Sequence, residues 1–309
     1  MSPKVVLAGN NTAAGYVLDL LLEACAATDI LVIAPVADSV ATWHSPLETT
    51  AIAAGVECLT PKDVNASEAV ARIEHHAPGL FLSVDYTQIL AVGTLDALSC
   101  PALNFHPSLL PRHRGVAPLI WALVEGDTTT GLTVHHLDNG VDTGPVVSQH
   151  RLPIHPDDTG YQLHLKMARL VRSTAAEIVR VWLAGESIPP GIEQTGVASY
   201  HSSRDPQVNH VDWQLDRARL RNIVRALAPP LPGAYAFAGD HRLVIASVSL
   251  VDSGPRPKPP GMVELRNGET VVWAADGPVR IDSFADDGAI VPGRELANTQ
   301  LLMEGQILG

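Results

Sequence analysis

Apolar residues fall in short unbroken runs in the first half of the chain and in alternating runs towards its end. "KVVLAGNNTAAGYVLDLLLEAC" opens on an apolar run over Val5 to Ala8, turns through Gly9 and two asparagines, and continues with Val17, Leu20 and Leu21 at helical spacing. That pattern predicts a buried strand followed by a helix. "DILVIAP" repeats the strand, "SPLETTAIAAG" predicts a helix capped by Ser45, and "ASEAVARIEHHAPGLFLSV" predicts another helix and strand. Unbroken apolar strands that alternate with helices form a parallel sheet covered on both faces, so the expected class is α/β with a Rossmann-like sheet. "PALNF" then predicts a strand, Val116 to Val124 a helix, "TGLTVHHL" and "GPVVSQHRLPI" a strand pair, and Asp158 to Ala184 a long helix.

The periodicity stops in "ESIPPGIEQTGVASYHSSRD", which gathers Pro, Gly and Ser. A linker over 189–205 is expected there, between a first domain at 1–188 and a second at 206–309. Beyond it, Arg217 to Leu227 predicts a helix. "GAYAFAG", "HRLVIASVSLV", "GMVEL", "TVVWAA" and "VRIDSF" predict strands separated by Gly, Pro and Asp turns. Strands at that spacing suggest a small barrel.

At 309 residues the chain is long enough for two cores, which agrees with that division. No apolar run approaches the ~20 residues that span a bilayer, and "MSPKVVLAGNN" lacks the basic and apolar regions of an export signal. Cys25, Cys58 and Cys100 are odd in number and widely spaced, which suggests neither disulfides nor a thiolate metal site. A cytoplasmic protein with no membrane partner is expected. Net charge is −12, and residues 1–100 carry only Lys4, Lys62 and Arg72 against eleven acidic side chains. Such a surface repels a polyanion and argues against a nucleic-acid partner.

"GNNTAAG" departs from the G-x-G-x-x-G of dinucleotide sites. Gly9 there permits a tight turn, while Asn10 and Asn11 offer an N-cap or ligand contacts at the sheet's carboxyl edge. Thirteen histidines raise the question of a metal, but none are spaced i, i+4, and the adjacent pairs His75–His76 and His135–His136 point apart. No metal is expected. In "NFHPSLLPRHRG", Asn104 and His106 are two apart at the end of a strand, so both face one side at the edge where open α/β sheets bind ligands. "HLDNGVDTGPVV" adds Asp138 and Asp142, and a carboxylate on such a turn can orient an imidazole and raise its basicity. Residue chemistry leaves the catalytic reading beside a structural one.

"NFHPSLLPRHRGVAPLIWALVEGDTTTGLTVHHLDNGVDTGPVV" closely resembles the signature of the 10-formyltetrahydrofolate-dependent formyltransferases. That pattern runs N-x-H-x-S-L-L-P, R-G-x-x-P, a G-x-T loop and a D-x-G turn. "FLSVDYTQIL" is similar to the family's folate segment, and "VDWQLDRARLRNIVRALAPPLPGAYAF" to the start of its C-terminal domain. The resemblance implies a catalytic domain followed by a smaller OB-like β-barrel domain, with Asn104, His106 and Asp142 as the catalytic trio. It implies 10-formyltetrahydrofolate as co-substrate, held by Tyr86, Gln88, Ile89 and Leu90 on one side and Leu137, Asp138, Asn139, Gly140 and Val141 on the other. Asn10, Asn11, Ser108, Arg112 and Arg114 are then expected to meet the acceptor.

The acceptor is less constrained. In the stretch where the methionyl-tRNA enzymes carry a basic insertion, "APVADSVATWHSPLETTAIAAG" has no Lys or Arg, which argues against tRNA. The overall pattern is most similar to nucleotide-sugar N-formyltransferases, so a small-molecule amine on a nucleotide-linked sugar is expected. Hydroxyornithine or another amino-acid-derived amine, methionyl-tRNA, and hydrolysis of the formyl-folate are the alternatives. A homodimer is left open.

Overall fold

The computed structural model describes residues 3–36, 46–202, 209–252, 257–299 and 301–309. They form two compact units that interleave along the chain. The first holds the residues up to Pro118, Thr129–Pro153 and His164–Tyr200; the second holds Leu119–Thr128, Ile154–Leu163 and the residues from His201.

In chain order the first part runs β1 (Val5–Gly9), α1 (Asn11–Ala24), β2 (Ile30–Ile33), α2 (Leu47–Ala53), β3 (Glu57–Leu59), α3 (Ser67–His76), β4 (Leu80–Val84), α4 (Val92–Ala97) and β5 (Ala102–His106). Then come β6 (Arg114–Gly115), α5 (Pro118–Val124), β7 (Thr129–His136), β8 (Val146–Pro153), α6 (Gly160–Leu183) and β9 (Tyr200–His201). The seven-stranded sheet has the order β3-β2-β1-β4-β5-β7-β8. The first five strands are parallel, whereas β7 runs antiparallel to β5 and β8 antiparallel to β7. The sheet is therefore mixed, its antiparallel edge made by the predicted strand pair. Every residue of β1, β2 and β4 is buried, which accounts for their unbroken apolar sequences.

Helix α1 buries Ala13, Ala14, Val17, Leu18 and Leu21, one stripe of its surface. Its cap is Asn10, whose side chain accepts from the Asn11 N–H at 2.9 Å. α2 begins with Pro46 in the cap position and no side-chain cap bond; Ser45 lies outside the described residues. Because β2 and β3 lie on one side of β1, and β4 and β5 on the other, the strand order reverses between β1 and β4. The crevice at the carboxyl ends of these two strands is where such sheets bind ligands.

Close packing in β7 depends on Gly131. A Cβ there would lie 2.3 Å from the His150 carbonyl oxygen and 2.4 Å from Leu109 Cδ2. The Leu109 side chain can turn away, but the His150 carbonyl cannot yield without moving strand β8, so Gly131→Ala is expected to destabilise the unit by about 1–3 kcal/mol. A lower urea midpoint in chemical unfolding checks this; an unchanged midpoint contradicts it.

The second unit contains α7 (Arg217–Leu227), β10 (Ala234–Ala238), β11 (His241–Leu250), β12 (Val263–Arg266), β13 (Glu269–Ala274), β14 (Gly277–Asp286), β15 (Ala289–Pro292) and α8 (Gly293–Leu296). Its antiparallel sheet has the order β10-β11-β14-β13-β12, with β15 paired to β14. The final residues join the two ends of that path. Val263 N–H donates to Gln306 O at 2.8 Å and Leu308 N–H to Gly261 O at 2.9 Å, while Phe237 and Gly309 exchange bonds of 2.8 and 3.1 Å.

The side chains of Arg217, Arg221 and Arg225 in α7 are engaged within this unit, Arg217 donating to Val251 O at 3.0 Å. Asp216 caps the helix by accepting from Arg219 N–H at 2.8 Å, Arg221 pairs with Asp157 at 2.7 Å, and Arg225 donates to the Asp158 carbonyl at 3.1 Å. Among the described residues no helix is long and apolar enough to cross a membrane.

Candidate active site

The carboxyl end of β5 presents Asn104 and His106 on one face, as period-2 spacing requires. Register places Asn104 opposite His135 and His106 opposite Thr133 on β7. Thr133, fully buried, donates its hydroxyl to Ser108 O at 2.7 Å and accepts from Leu110 N–H at 3.2 Å, which anchors the loop after His106 to the sheet.

Asp142 arrives from the turn after β7 in a left-handed conformation, φ 55°. Asp138 shapes that turn by accepting from Gly140 N–H at 3.1 Å and from the Thr143 hydroxyl at 2.7 Å. A Cβ on Gly144 would lie 1.9 Å from the His136 carbonyl oxygen, so the turn can close only on glycine. Gln194 braces it from outside, donating to Asp142 O and Gly144 O, each at 2.9 Å.

The three side chains meet. Asn104 Nδ2 donates to Asp142 Oδ1 at 3.2 Å, His106 Nδ1 lies 3.4 Å from the same oxygen, and Gly115 N–H donates to Asp142 Oδ2 at 2.8 Å. His106 is 4% exposed, and its Nε2 lies 2.8 Å from the His113 carbonyl oxygen. A carbonyl only accepts, so Nε2 carries a proton, and Nδ1, facing Asp142, is the nitrogen that titrates. Burial pushes the His106 pKa below its ordinary 6.5, although the Asp142 charge and the His113 bond pull the other way. The imidazole is neutral at pH 7 and holds a lone pair beside a carboxylate.

Burial alone pushes the Asp142 carboxyl up. A hydrogen bond from His135 when its Nε2 is protonated, the His106 charge and the Gly115 N–H outweigh it, and its pKa falls below 3.8. At pH 7 the result is an ionised carboxylate next to a neutral imidazole, which gains the charge that holds the carboxyl down only at lower pH.

His135 completes the cluster, a residue that sequence patterning treats only as half of an adjacent pair. It is 1% exposed, with Nδ1 at 2.8 Å from the His136 carbonyl oxygen and Nε2 at 3.2 Å from Asn104 Nδ2. With Nδ1 protonated, Nε2 accepts one amide hydrogen of Asn104 while Asp142 accepts the other. His135 thereby fixes which way the amide faces. His135→Phe is expected to lower kcat by roughly tenfold, less than loss of a reacting group, since it frees the amide to rotate without removing it. Steady-state kinetics check this, and an unchanged kcat speaks against the positioning role.

The other sequence-predicted residues divide. Ser108 is fully buried and donates to Arg112 O at 2.7 Å, and Arg114 is held by Gln194 at 2.7 Å and by the Tyr200 hydroxyl. Gln194 and Tyr200 belong to the segment expected as a linker. Arg112 is exposed. The Gln88 side chain joins two loops, accepting from Val64 N–H at 2.7 Å and donating to Pro61 O at 3.0 Å. Tyr86, Leu90 and Leu137 pack on one apolar cluster against the sheet.

A family profile described as formyl transferase matches residues 7–179, and one described as formyl transferase, C-terminal domain, matches residues 204–301. The chain belongs to the formyl transferase family. Formyl transferases of known structure share its fold. WlaRD, a sugar 3N-formyltransferase crystallised with dTDP and 5-N-formyl-THF, is 21% identical with a TM-score of 0.71, over 91% of this chain and 97% of its own. An N-formyltransferase from Helicobacter canadensis, in complex with folinic acid and dTDP-3-aminofucose, is 20% identical with a TM-score of 0.70, over 90% and 98%. Methionyl-tRNA formyltransferase from Clostridium thermocellum is 16% identical with a TM-score of 0.59, over 82% and 95%.

Proposed function

We propose that this formyl transferase moves the formyl group of 10-formyltetrahydrofolate to the amine of a nucleotide-linked sugar. The observation that carries the reading is the convergence of Asn104, His106 and Asp142 at the carboxyl edge of the sheet. Such a transfer needs a donor for the charge that develops on the formyl oxygen and a base for the amine's proton. Asn104 supplies the donor by exchanging its bond to Asp142 Oδ1 for one to the formyl oxygen, while His135 keeps the amide oriented. The lone pair on His106 Nδ1 takes the proton, and Asp142 Oδ1 then shares it as the imidazolium forms.

The residues assigned to the folate suit a flat, partly apolar ring. Tyr86 Oη is buried with no partner among the described residues, while Ile89 and Val141 stand 68% and 41% exposed on the two segments that would flank it. When bound, the co-substrate supplies an activated formyl carbon, and the chain supplies position and proton management. The sugar acceptor is favoured by the acidic first hundred residues, by the engagement of the Arg217, Arg221 and Arg225 side chains of α7, and by the nucleotide-sugar ligands of the two neighbours first described.

The test supplies 10-formyltetrahydrofolate with dTDP-amino sugars, hydroxyornithine, methionyl-tRNA or no acceptor, and follows tetrahydrofolate release. Release with the amino sugars supports the reading. Release without any acceptor points to hydrolysis, and release only with tRNA or hydroxyornithine moves the acceptor elsewhere.

A further inference from the structure

Asp85 follows β4 at the strand-order reversal, and its place on the edge is set by two registers. Gly9 pairs with Val84, and Val84 with Phe105. One residue further along, Asp85 lies between Asn10 on β1's side and His106 on β5's side, with strands about 4.8 Å apart. It is half-buried and left-handed, φ 53°, and faces a second left-handed residue, Asn11, φ 60°. Non-glycine residues held in this region cluster at functional sites.

Asn11 spans the crevice. Its Oδ1 accepts from Ala13 N–H at 2.9 Å, which fixes the side chain on the helix, and its Nδ2 donates to Asp85 Oδ2 at 2.6 Å. One carboxylate oxygen is thus pinned, and among the described residues no group donates to Oδ1. No ion pair forms at Asp85 among the described residues either. Its charge acts on His106 and on His164, but burial pushes both imidazoles below the ordinary histidine range. The edge therefore carries a carboxylate pinned by Asn11 and without an ion-pair partner among the described residues, one strand away from the imidazole of the site.

We propose that Asp85 binds the amine of the acceptor, holding its cationic form beside His106 and selecting amines over hydroxyl acceptors. This rests on the small-molecule acceptor assigned above. A primary amine is largely protonated at neutral pH, and the ammonium gains a charge-assisted bond that a hydroxyl cannot match. The same charge repels a diphosphate, so a nucleotide-linked sugar enters with its amine towards the site.

Asp85→Asn isolates the charge. Asn tolerates the left-handed backbone and can still accept from Asn11, so a purely structural staple is unaffected. Calorimetric titration with dTDP-3-aminofucose and with dTDP-fucose, its hydroxyl counterpart, reads the preference independently of turnover. The wild-type protein is expected to bind the amine about tenfold or more tightly than the hydroxyl, and the variant to bind the two within about twofold, with an unchanged unfolding midpoint. A wild-type protein without the preference, including one that binds neither sugar, overturns the assignment, as does a variant that keeps it. Amine-selective binding without tetrahydrofolate release would instead leave Asp85 in place and remove the formyl-transfer reading.

Discussion

Replacing His106 by alanine is expected to lower kcat by about 10²- to 10⁴-fold, the range for loss of a positioned acid–base group. The variant removes a nitrogen that combines an open lone pair with the neighbouring Asp142 Oδ1; His135 Nε2, 3.5 Å from the same oxygen, is occupied by the Asn104 amide. Folate binding should persist, since Tyr86, Leu90 and Leu137 pack on an apolar cluster that does not include His106. Some stability is lost as well: the His113 carbonyl gives up its partner, which costs about 1–3 kcal/mol when the group stays dry. A folate-binding titration alongside single-turnover kinetics separates the two effects. Retained binding with retained transfer would sink the assigned role.

The wild-type pH profile should carry the same signature. The neutral imidazole is the working form, and its pKa lies below 6.5. The acid limb of kcat/KM therefore begins below the ordinary histidine range, and transfer continues at pH 6.5. A limb centred at or above that value contradicts a buried base.

Much of this architecture could be read from residue order, and what could not has a common cause. Unbroken apolar runs marked β1, β2 and β4 because both their faces are covered, and the spacing of Asn104 and His106 placed both on one face because a strand repeats every two residues. Helix α7 was equally plain, its buried Leu220, Ile223, Val224 and Leu227 falling at helical intervals. His135 escaped notice because its role comes from antiparallel register across 31 residues, and nothing near it in sequence signals Asn104. Arg114 was expected to meet the acceptor; its bond to Gln194, 80 positions away, is a contact that residue order does not signal. The Pro- and Gly-rich segment read as a linker because it lacks periodicity, yet Gln194 and Ser199 brace the site from within it. Periodicity reports elements that bury a face; it is silent about single polar contacts between distant segments.

Asp142→Asn is expected to reduce kcat by about 10²- to 10⁴-fold with the fold intact, for reasons distinct from those at His106. Asparagine accepts the left-handed backbone that Asp142 adopts, so the turn survives. The side chain cannot satisfy its surroundings. An NH₂ in place of Oδ2 confronts the Gly115 N–H, and one in place of Oδ1 confronts the Asn104 amide and donates to His106 Nδ1. The first arrangement leaves two buried donors facing each other, at about 1–3 kcal/mol. The second caps the lone pair that should take the proton. Stability carries a further mark. Because the folded-state pKa of Asp142 is depressed, its ionisation stabilises the native protein above pH 3.8, and that contribution is lost as pH falls through the lower folded value. The variant has no such group, so the stability gap between wild type and Asp142→Asn should narrow from pH 7 to the acid end. Urea unfolding of both proteins across that range measures the gap. A gap that stays constant with pH, or a kcat within tenfold of wild type, would show that Asp142 is not the ionised partner of His106.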